Sequence, residues 1–222
     1  HALRSEKEVL SLLLSKVLSI LGSKRAPDIE VKQVDRIHSP LLKTVLLEDG
    51  FSETVKDRML LEATRMKNDQ ELTHRKITVK NARSPLDWRA LYLSSSTEQS
   101  LEESKKRVYS ETPYGTIEED DLTRLVAYDG ESMVGTIGYS SCRNVAYLEK
   151  LGVQSRQADR AGIARVLVAD AIRQARKKNC VYAIIDVDVG STFKDVLRNL
   201  GARQVGQISY FFKVITSRAN VT

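Results

Sequence analysis

The sequence is poor in the residues that build metal sites, disulfide frameworks and histidine-dependent active sites. Of its 222 residues, two are cysteine and three are histidine. Cys142 and Cys180 lie away from any second cysteine or histidine at metal-ligand spacing, so no metal site is expected. His1, His38 and His74 all precede the region that carries the motifs below, which disfavours a Ser-His-Asp or Cys-His enzyme. Two free thiols fit a reducing cytoplasm, although a disulfide between them stays open.

Long apolar runs and the common phosphate-binding motifs are also missing. The longest apolar stretch, VLSLLLSKVLSIL at residues 9–21, is too short to span a bilayer, and no small-residue cleavage site follows it. Neither G-x-x-x-x-G-K-[ST] nor G-x-G-x-x-G occurs, which excludes a P-loop and a dinucleotide-binding fingerprint. No membrane span is therefore expected, and any phosphate site must be built in another way.

The charge balance is modestly basic. The formal net charge is +6, from 35 basic and 29 acidic residues. That favours anionic partners, such as phosphates or an acidic protein, although a solvated surface accounts for it equally well. The basic residues have acidic neighbours and accompany no recognised nucleic-acid motif, so no nucleic-acid partner is expected.

The spacing of apolar residues divides the chain into an N-terminal helical extension, 1–72, and a second domain, 73–222. Helices are predicted from Glu6 to Leu21, from Pro40 to a stop at Gly50, and from about Ser52 to Lys67, with NDQELTHR as a polar linker. The extension is interpreted as a packing appendage; the alternative is a cover over a ligand tunnel.

From Lys76 onwards, strands and helices alternate. TRLVAYD and SMVGTIGYS form a predicted hairpin joined at Asp129-Gly130, and VYAIIDVDV is predicted to be a buried strand. The fold class is mixed α/β, with a mostly antiparallel central sheet and helices on both faces. Further strands are predicted at 76–82, 145–153 and 206–214, and helices from Ser84-Pro85, at 97–108, 161–178 and 195–199.

The stretch RQADRAGIARVLVADAIRQARKK, residues 156–178, combines a small-residue turn with an amphipathic helix. The first amides of a helix have no partner within the helix and point outward at its positive end, where they bind anions. Gly162 and Ala164 provide space for an anion, and Arg156, Arg160 and Arg165 provide positive charge. The turn is therefore a candidate pyrophosphate site; the alternative is a helix cap that contains a glycine.

Four motifs in sequence order resemble the GCN5-related N-acetyltransferase (GNAT) superfamily over residues 76–214. TRLVAYDGESMVGTIGYS is similar to the family's second and third strands, and YLEKLGV to its fourth. DRAGIARVLV is similar to the pyrophosphate loop and third helix, and FKDVLRNLGARQVG to the fourth helix and closing turn. The resemblance implies an acyl thioester donor, normally acetyl-coenzyme A, in a cleft where the fourth and fifth strands splay apart.

The resemblance also implies roles for individual residues. Leu151 and Val153 would pair with the pantetheine arm, and the amide of Val153 would polarise the thioester carbonyl, as in an oxyanion hole. The pyrophosphate would be held by the backbone amides of Ala161, Gly162, Ile163 and Ala164.

Three positions depart from the family's pattern. Asp159 stands where arginine or glutamine is usual, and a carboxylate beside a pyrophosphate is unfavourable unless it turns away or pairs with an arginine. Leu197 occupies the position of a frequent tyrosine acid, and Gly190 that of a frequent asparagine. These departures weaken the expectation of ordinary coenzyme A use.

An ammonium acceptor must lose a proton before it can attack a thioester, so a nearby base is required. Glu149 on the fourth strand is the first candidate; the alternative is a solvent-facing strand residue beside Lys150. Asp186 and Asp188 come second, because they alternate along the fifth strand towards its carboxyl end.

The predicted function is N-acyl transfer from a thioester to an amine. The sequence does not specify the amine, and an amino acid is one possible acceptor. The donor is acyl-coenzyme A or an acyl carrier protein, the donor of two relatives of this fold, the acyl-homoserine lactone synthases and the long-chain N-acyl amino acid synthases. Extra N-terminal helices, Asp159 and the basic helix at 160–178 favour the acidic carrier protein. A non-catalytic module that binds acyl-coenzyme A or a partner is the third hypothesis. A cytoplasmic location is expected.

Overall fold

A computed structural model describes residues 6–23, 28–34, 40–66, 77–97, 99–111 and 121–214 of the chain. In those ranges the elements are, in chain order, α1 (Glu6–Ser23), β1 (Asp28–Val34), α2 (Pro40–Glu48), β2 (Ser52–Glu62), β3 (Ile77–Asn81), α3 (Pro85–Ser96), α4 (Leu101–Glu111), β4 (Thr123–Asp129), β5 (Ser132–Cys142), β6 (Val145–Val153), α5 (Arg160–Lys177), β7 (Tyr182–Asp188), α6 (Phe193–Asn199) and β8 (Arg203–Val214). A 3-10 turn, Ala63–Arg65, follows β2. No helix in these ranges is both long enough and apolar enough to cross a membrane.

Two compact units divide the chain: residues 58–205, and residues 1–57 with 206–222. In the 58–205 unit the strands lie in the order β2-β7-β6-β5-β4-β3. The pairings of β3 with β4, β4 with β5 and β5 with β6 are antiparallel, and β6 with β7 is parallel. The mixed α/β sheet predicted from the sequence is therefore confirmed.

The helices of the 58–205 unit enclose its sheet from two sides. Apolar residues of α5, including Ile163, Leu167 and Ile172, pack against one face of β5 and β6 in the main core. Trp88 and Leu91 of α3 form a smaller core on the opposite face. Burial of these side chains fixes the first turn of α5 and the end of α3 near the carboxyl end of β6.

The unit of residues 1–57 and 206–222 has a core of its own. Strand β1 pairs antiparallel with β8, from Asp28 opposite Val214 to Val34 opposite Ile208. Leu46 of α2 packs with Phe51 and Phe211, against which Leu14 of α1 also lies. The predicted helices α1 and α2 are both present, and Gly50, at φ 84°, ends the second in the left-handed region.

The third predicted helix, from about Ser52 to Lys67, is wrong: Ser52–Glu62 form β2, and the 3-10 turn Ala63–Arg65 follows. Met59 and Leu61 are buried while Arg58 and Leu60 between them are only half-buried, which is the two-residue period of a strand. The run MLLEATRM also fits helical spacing, and pairing in the sheet outweighed that local preference.

Two further details differ from the prediction. Strand β1, Asp28–Val34, lies in a stretch for which the sequence predicts no strand. Strand β7 is not buried along its length, because Ala183, Ile185 and Val187 are buried while Asp186 is half-buried and Asp188 exposed. The hairpin of β4 and β5 and the strands β3, β6 and β8 are confirmed. The predicted linker, 68–75, lies outside the described residues.

Candidate active site

The strands β6 and β7 diverge after a short paired segment. Their parallel register runs from Val145 opposite Tyr182 to Leu148 opposite Ile185, whereas β6 continues to Val153 and β7 to Asp188. At this point β6 has an irregularity in its pairing with β5 and a left-handed residue, Lys150, at φ 53°. An irregular residue bends its strand. The splay that the family resemblance implies between the fourth and fifth strands, here β6 and β7, is therefore present.

The backbone of Val153 faces this gap. The amide of Gln154 donates to the carbonyl of Val134 on β5, at 3.0 Å. Because successive amides of a strand point to opposite sides, the Val153 amide points away from β5, to the side where β7 has diverged. The Val153 side chain is fully buried and Leu151 packs against the same core, so the backbone here is firmly held.

Glu149 lies on the face of β6 that carries α3. It pairs in register with Gly138, where an added Cβ would lie 3.1 Å from the Trp88 ring, and paired residues share a face of the sheet. The Glu149 side chain is half-buried and forms no ion pair with any described residue. Next to it, the ammonium of Lys150 lies 5.6 Å from the centre of the Trp88 ring.

Asp186 lies where β7 leaves β6 but is already engaged. Both of its carboxylate oxygens accept from the Arg58 guanidinium, each at 2.8 Å. The side chains are 20% and 14% exposed, so this bidentate pair is largely shielded from water. Asp188, two residues on, is exposed.

The first turn of α5, residues 159–164, is capped by its own chain. Asp159 is the N-cap, and its Oδ1 accepts from the Gly162 amide at 2.9 Å. The Ile163 amide donates to the Asp159 carbonyl at 3.2 Å. The carboxylate therefore neither turns away nor pairs with an arginine among the described residues.

The remaining predicted anion ligands are dispersed around this turn. Ala161 is exposed, whereas Ile163 and Ala164 are buried in the core. The Arg160 guanidinium lies 5.8 Å from the centre of the Phe193 ring on α6. Arg165 is half-buried, and its Nε has no hydrogen-bond partner within the described ranges.

Arg156 lies instead at a small polar hollow of about 150 Å³ beside the carboxyl end of β6. Hydrogen bonds from the Ser100 amide and hydroxyl hold the pKa of Glu103 below its usual range and fix one wall of the hollow. The hollow is lined by Ser94, Gln99, Ser100, Leu101, Gln154, Ser155 and Arg156.

Sequence reasoning missed Arg58 and the wall that α3 and α4 contribute to the hollow. Nothing in the local sequence relates Arg58 to Asp186, which lies 128 positions away. The close approach of α3 had one signal, Gly152, where an added Cβ would lie 2.0 Å from the Ser95 hydroxyl. Leu197, at the position of the missing tyrosine, is buried in the core.

The acetyltransferase (GNAT) family model matches residues 86–196, half of the chain. The chain belongs to this family. The match covers α3 to α6, the elements that surround the divergence of β6 and β7. Family membership makes the chain an acyltransferase of the GNAT type.

Solved structures show the same fold at low sequence identity. A GCN5-related N-acetyltransferase from Kribbella flavida aligns with a TM-score of 0.63 and 14% identity, over 97% of this chain and 79% of that one. A functionally unknown conserved protein from Staphylococcus epidermidis aligns with a TM-score of 0.57 and 19% identity, over 93% and 81%. A GCN5-related N-acetyltransferase from Sphaerobacter thermophilus aligns with a TM-score of 0.52 and 16% identity, over 92% and 69%. No curated protein matches the sequence.

The family typically uses acetyl-coenzyme A, and the residues present fit that molecule at one end only. The outward Val153 amide and the diverging strands suit an extended pantetheine arm that ends in a thioester. The Gly162 amide, in contrast, is taken by the Asp159 carboxylate. Within the described ranges, no cluster of three or more histidine, cysteine, aspartate or glutamate side chains is arranged to hold a metal ion.

Proposed function

We propose that this acyltransferase moves an acyl group from a phosphopantetheine thioester to an amine, at the divergence of β6 and β7. The observation that carries the proposal is the combination, on one strand, of an outward Val153 amide and the half-buried Glu149 carboxylate. A bound thioester supplies the acyl group as an activated carbonyl. The chain itself supplies a hydrogen-bond donor and a base.

Each of these groups has a defined task. The Val153 amide would donate to the carbonyl oxygen and stabilise the negative charge that develops there. Glu149 would take a proton from the ammonium acceptor, and the neutral nitrogen would form the new N–C bond as the C–S bond breaks. The second proton that the nitrogen loses as the amide forms would pass through water to the departing thiolate, because the buried Leu197 cannot donate one.

Glu149 is preferred to Asp186 as the base because of their surroundings. Asp186 is held on both oxygens by the Arg58 guanidinium, so neither oxygen is free to face the acceptor amine. Glu149 has no such partner among the described residues. Asp186 would then shape the far side of the gap.

The experiment measures thiol release from acetyl-coenzyme A, a long-chain acyl-coenzyme A and an acylated carrier protein, each with a panel of amines. Glu149→Gln should lower turnover by about a hundredfold or more, since a general base typically contributes about 10²–10⁴-fold, and leave the donor Kd unchanged. Glu131→Gln removes the same charge from the exposed β4–β5 turn and serves as the control.

The outcomes separate the two parts of the proposal. Unchanged turnover in Glu149→Gln would remove Glu149 as the base. Absence of thiol release with every donor and amine would contradict amine acylation itself, and donor binding without turnover would favour a binding module.

A second candidate concerns the acceptor: the polar hollow favours an amine that also carries a carboxylate, such as an amino acid. Arg156 is the one charged residue among those that line it, and five of the other six are serines and glutamines, which offer hydroxyl and amide groups. Such a lining suits a carboxylate beside the β6 end. Arg156→Gln should raise KM for amino acids more than for simple amines. An equal effect on both would contradict it.

A further inference from the structure

The carboxylate of Asp159 lies at the first turn of α5, where the family resemblance implies the donor's diphosphate would bind. Its Oδ1 accepts from the Gly162 amide at 2.9 Å, and an added Cβ on Gly162 would lie 2.2 Å from Oδ2. The side chain thus fills the space that glycine leaves open. An incoming anion would have to displace a group that is already bound there and that carries the same charge.

Asp159 leaves only part of the first turn of α5 available to an incoming anion. The Gly162 and Ile163 amides are both satisfied by Asp159, through its side chain and its carbonyl. Those of Arg160 and Ala161 have no acceptor within the described part of the chain. These two outward amides can still bind a phosphate group, whereas the two that Asp159 satisfies are lost to the donor.

The nearby cations do not neutralise Asp159. No described residue forms an ion pair with it. Arg160, its neighbour, has its guanidinium over the Phe193 ring. The negative charge therefore remains available to repel a diphosphate.

We infer that Asp159 is a specificity-determining residue that selects donors with a single phosphate, the 4′-phosphopantetheine thioesters, over coenzyme A thioesters. The inference rests on the proposed function, since it concerns the donor of that same site. Asp159 would discriminate in two ways. Its carboxylate accepts the hydrogen bond of the Gly162 amide, and its negative charge repels the second phosphate.

Calorimetric titration of the full chain with 4′-phosphopantetheine and with coenzyme A tests this, because it reports binding without turnover. The wild type should bind 4′-phosphopantetheine more tightly. Asp159→Asn keeps the helix cap and removes the charge. It should bind coenzyme A about tenfold more tightly, since like charges a few ångströms apart in a partly exposed site repel by about that much.

Two more variants separate the effect of the Asp159 charge from the effect of its hydrogen bond with the Gly162 amide. Asp159→Gly removes both, at a small cost to the cap, and should bind coenzyme A at least as tightly as Asp159→Asn. Asp121→Asn is the matched control: Asp121 is exposed, close to Thr123, which contacts Lys178 at the far end of α5. That end is about 27 Å from the turn, given the helical rise over 18 residues.

The results distinguish this inference from the proposed function. Wild-type affinity for coenzyme A that equals or exceeds that for 4′-phosphopantetheine, and that Asp159→Asn leaves unchanged, would overturn the inference alone. Failure of every variant to bind either molecule at millimolar concentration would overturn both. Tighter binding of an acylated carrier protein than of free acyl-4′-phosphopantetheine would identify the carrier as the source; equal binding would identify the free thioester.

Discussion

Arg58 and Asp186 form a bidentate ion pair in the 58–205 unit. The two hydrogen bonds are parallel, both at 2.8 Å, and the groups are largely shielded from water. The attraction between the two charges therefore offsets the free energy that each loses when it is removed from water. The pair also joins β2 to β7 on the side of the sheet where β7 leaves β6.

Removal of both members should therefore cost less than the sum of the costs of removing each one alone. We expect Asp186→Asn to lower the free energy of unfolding by about 1–3 kcal/mol, because the Arg58 guanidinium loses its charged partner. In the double variant with Arg58→Met the loss should be smaller than the sum of the two single losses. Urea unfolding of all four proteins measures this coupling; strictly additive losses would contradict it.

At this scale the sequence identifies residues better than it identifies their partners. Glu149 and Asp186 could be predicted from the sequence because each is a carboxylate, a possible base, on a strand that borders the expected cleft. The engagement of Asp186 by Arg58 depends on two strands far apart in the chain, and no local pattern encodes it. Asp159 could be recognised as a departure from the family, but its bond to Gly162 required the backbone geometry of the turn.

At the scale of elements, β2 offers adjacent leucines in opposite environments. Leu61 is 1% exposed in the main core, whereas Leu60 is half-buried on the other face. Two neighbours on a helix would lie only a quarter-turn apart, while on a strand they face opposite sides.

Matched substitutions at these positions test the strand. Leu61→Ala should lower the free energy of unfolding by about 2–5 kcal/mol, since it leaves a cavity in a packed core. Leu60→Ala should cost much less. Equal losses, measured by chemical denaturation, would contradict the alternation that defines β2.

The segments predicted correctly are those in which local and long-range preferences agree. Asp129-Gly130 specifies a hairpin turn, and Ser84 caps α3 by accepting from the Asp87 amide. MLLEATRM has no such agreement: its residues suit a helix and a strand about equally, and only the neighbouring strands decide. The splay of β6 and β7 was predictable only through the family resemblance, because the residue types of two strands do not indicate where their pairing stops.

At the scale of the whole molecule, a donor that binds the folded chain should stabilise it. A donor at about a hundred times its Kd adds roughly 2.7 kcal/mol to the free energy of unfolding. For a chain of this size that corresponds to a rise of about 5–10 °C in the unfolding midpoint.

Differential scanning fluorimetry with 4′-phosphopantetheine and with acetyl-coenzyme A measures the rise. Gly162→Arg, which places a large side chain in the first turn of α5, should abolish it relative to its own ligand-free midpoint. An undiminished rise in that variant would show that the donor binds elsewhere.

The pairing of β1 with β8 has a consequence for the making of the protein. Residues 28–34 leave the ribosome long before residues 208–214, their hydrogen-bonding partners. At 5–20 residues per second the interval is roughly ten to forty seconds. During that time residues 58–205, one continuous stretch, are synthesised in full, while β1 has no β8 with which to pair. Biosynthesis thus imposes an order: the stretch with the proposed active site is synthesised before β1 can pair with β8.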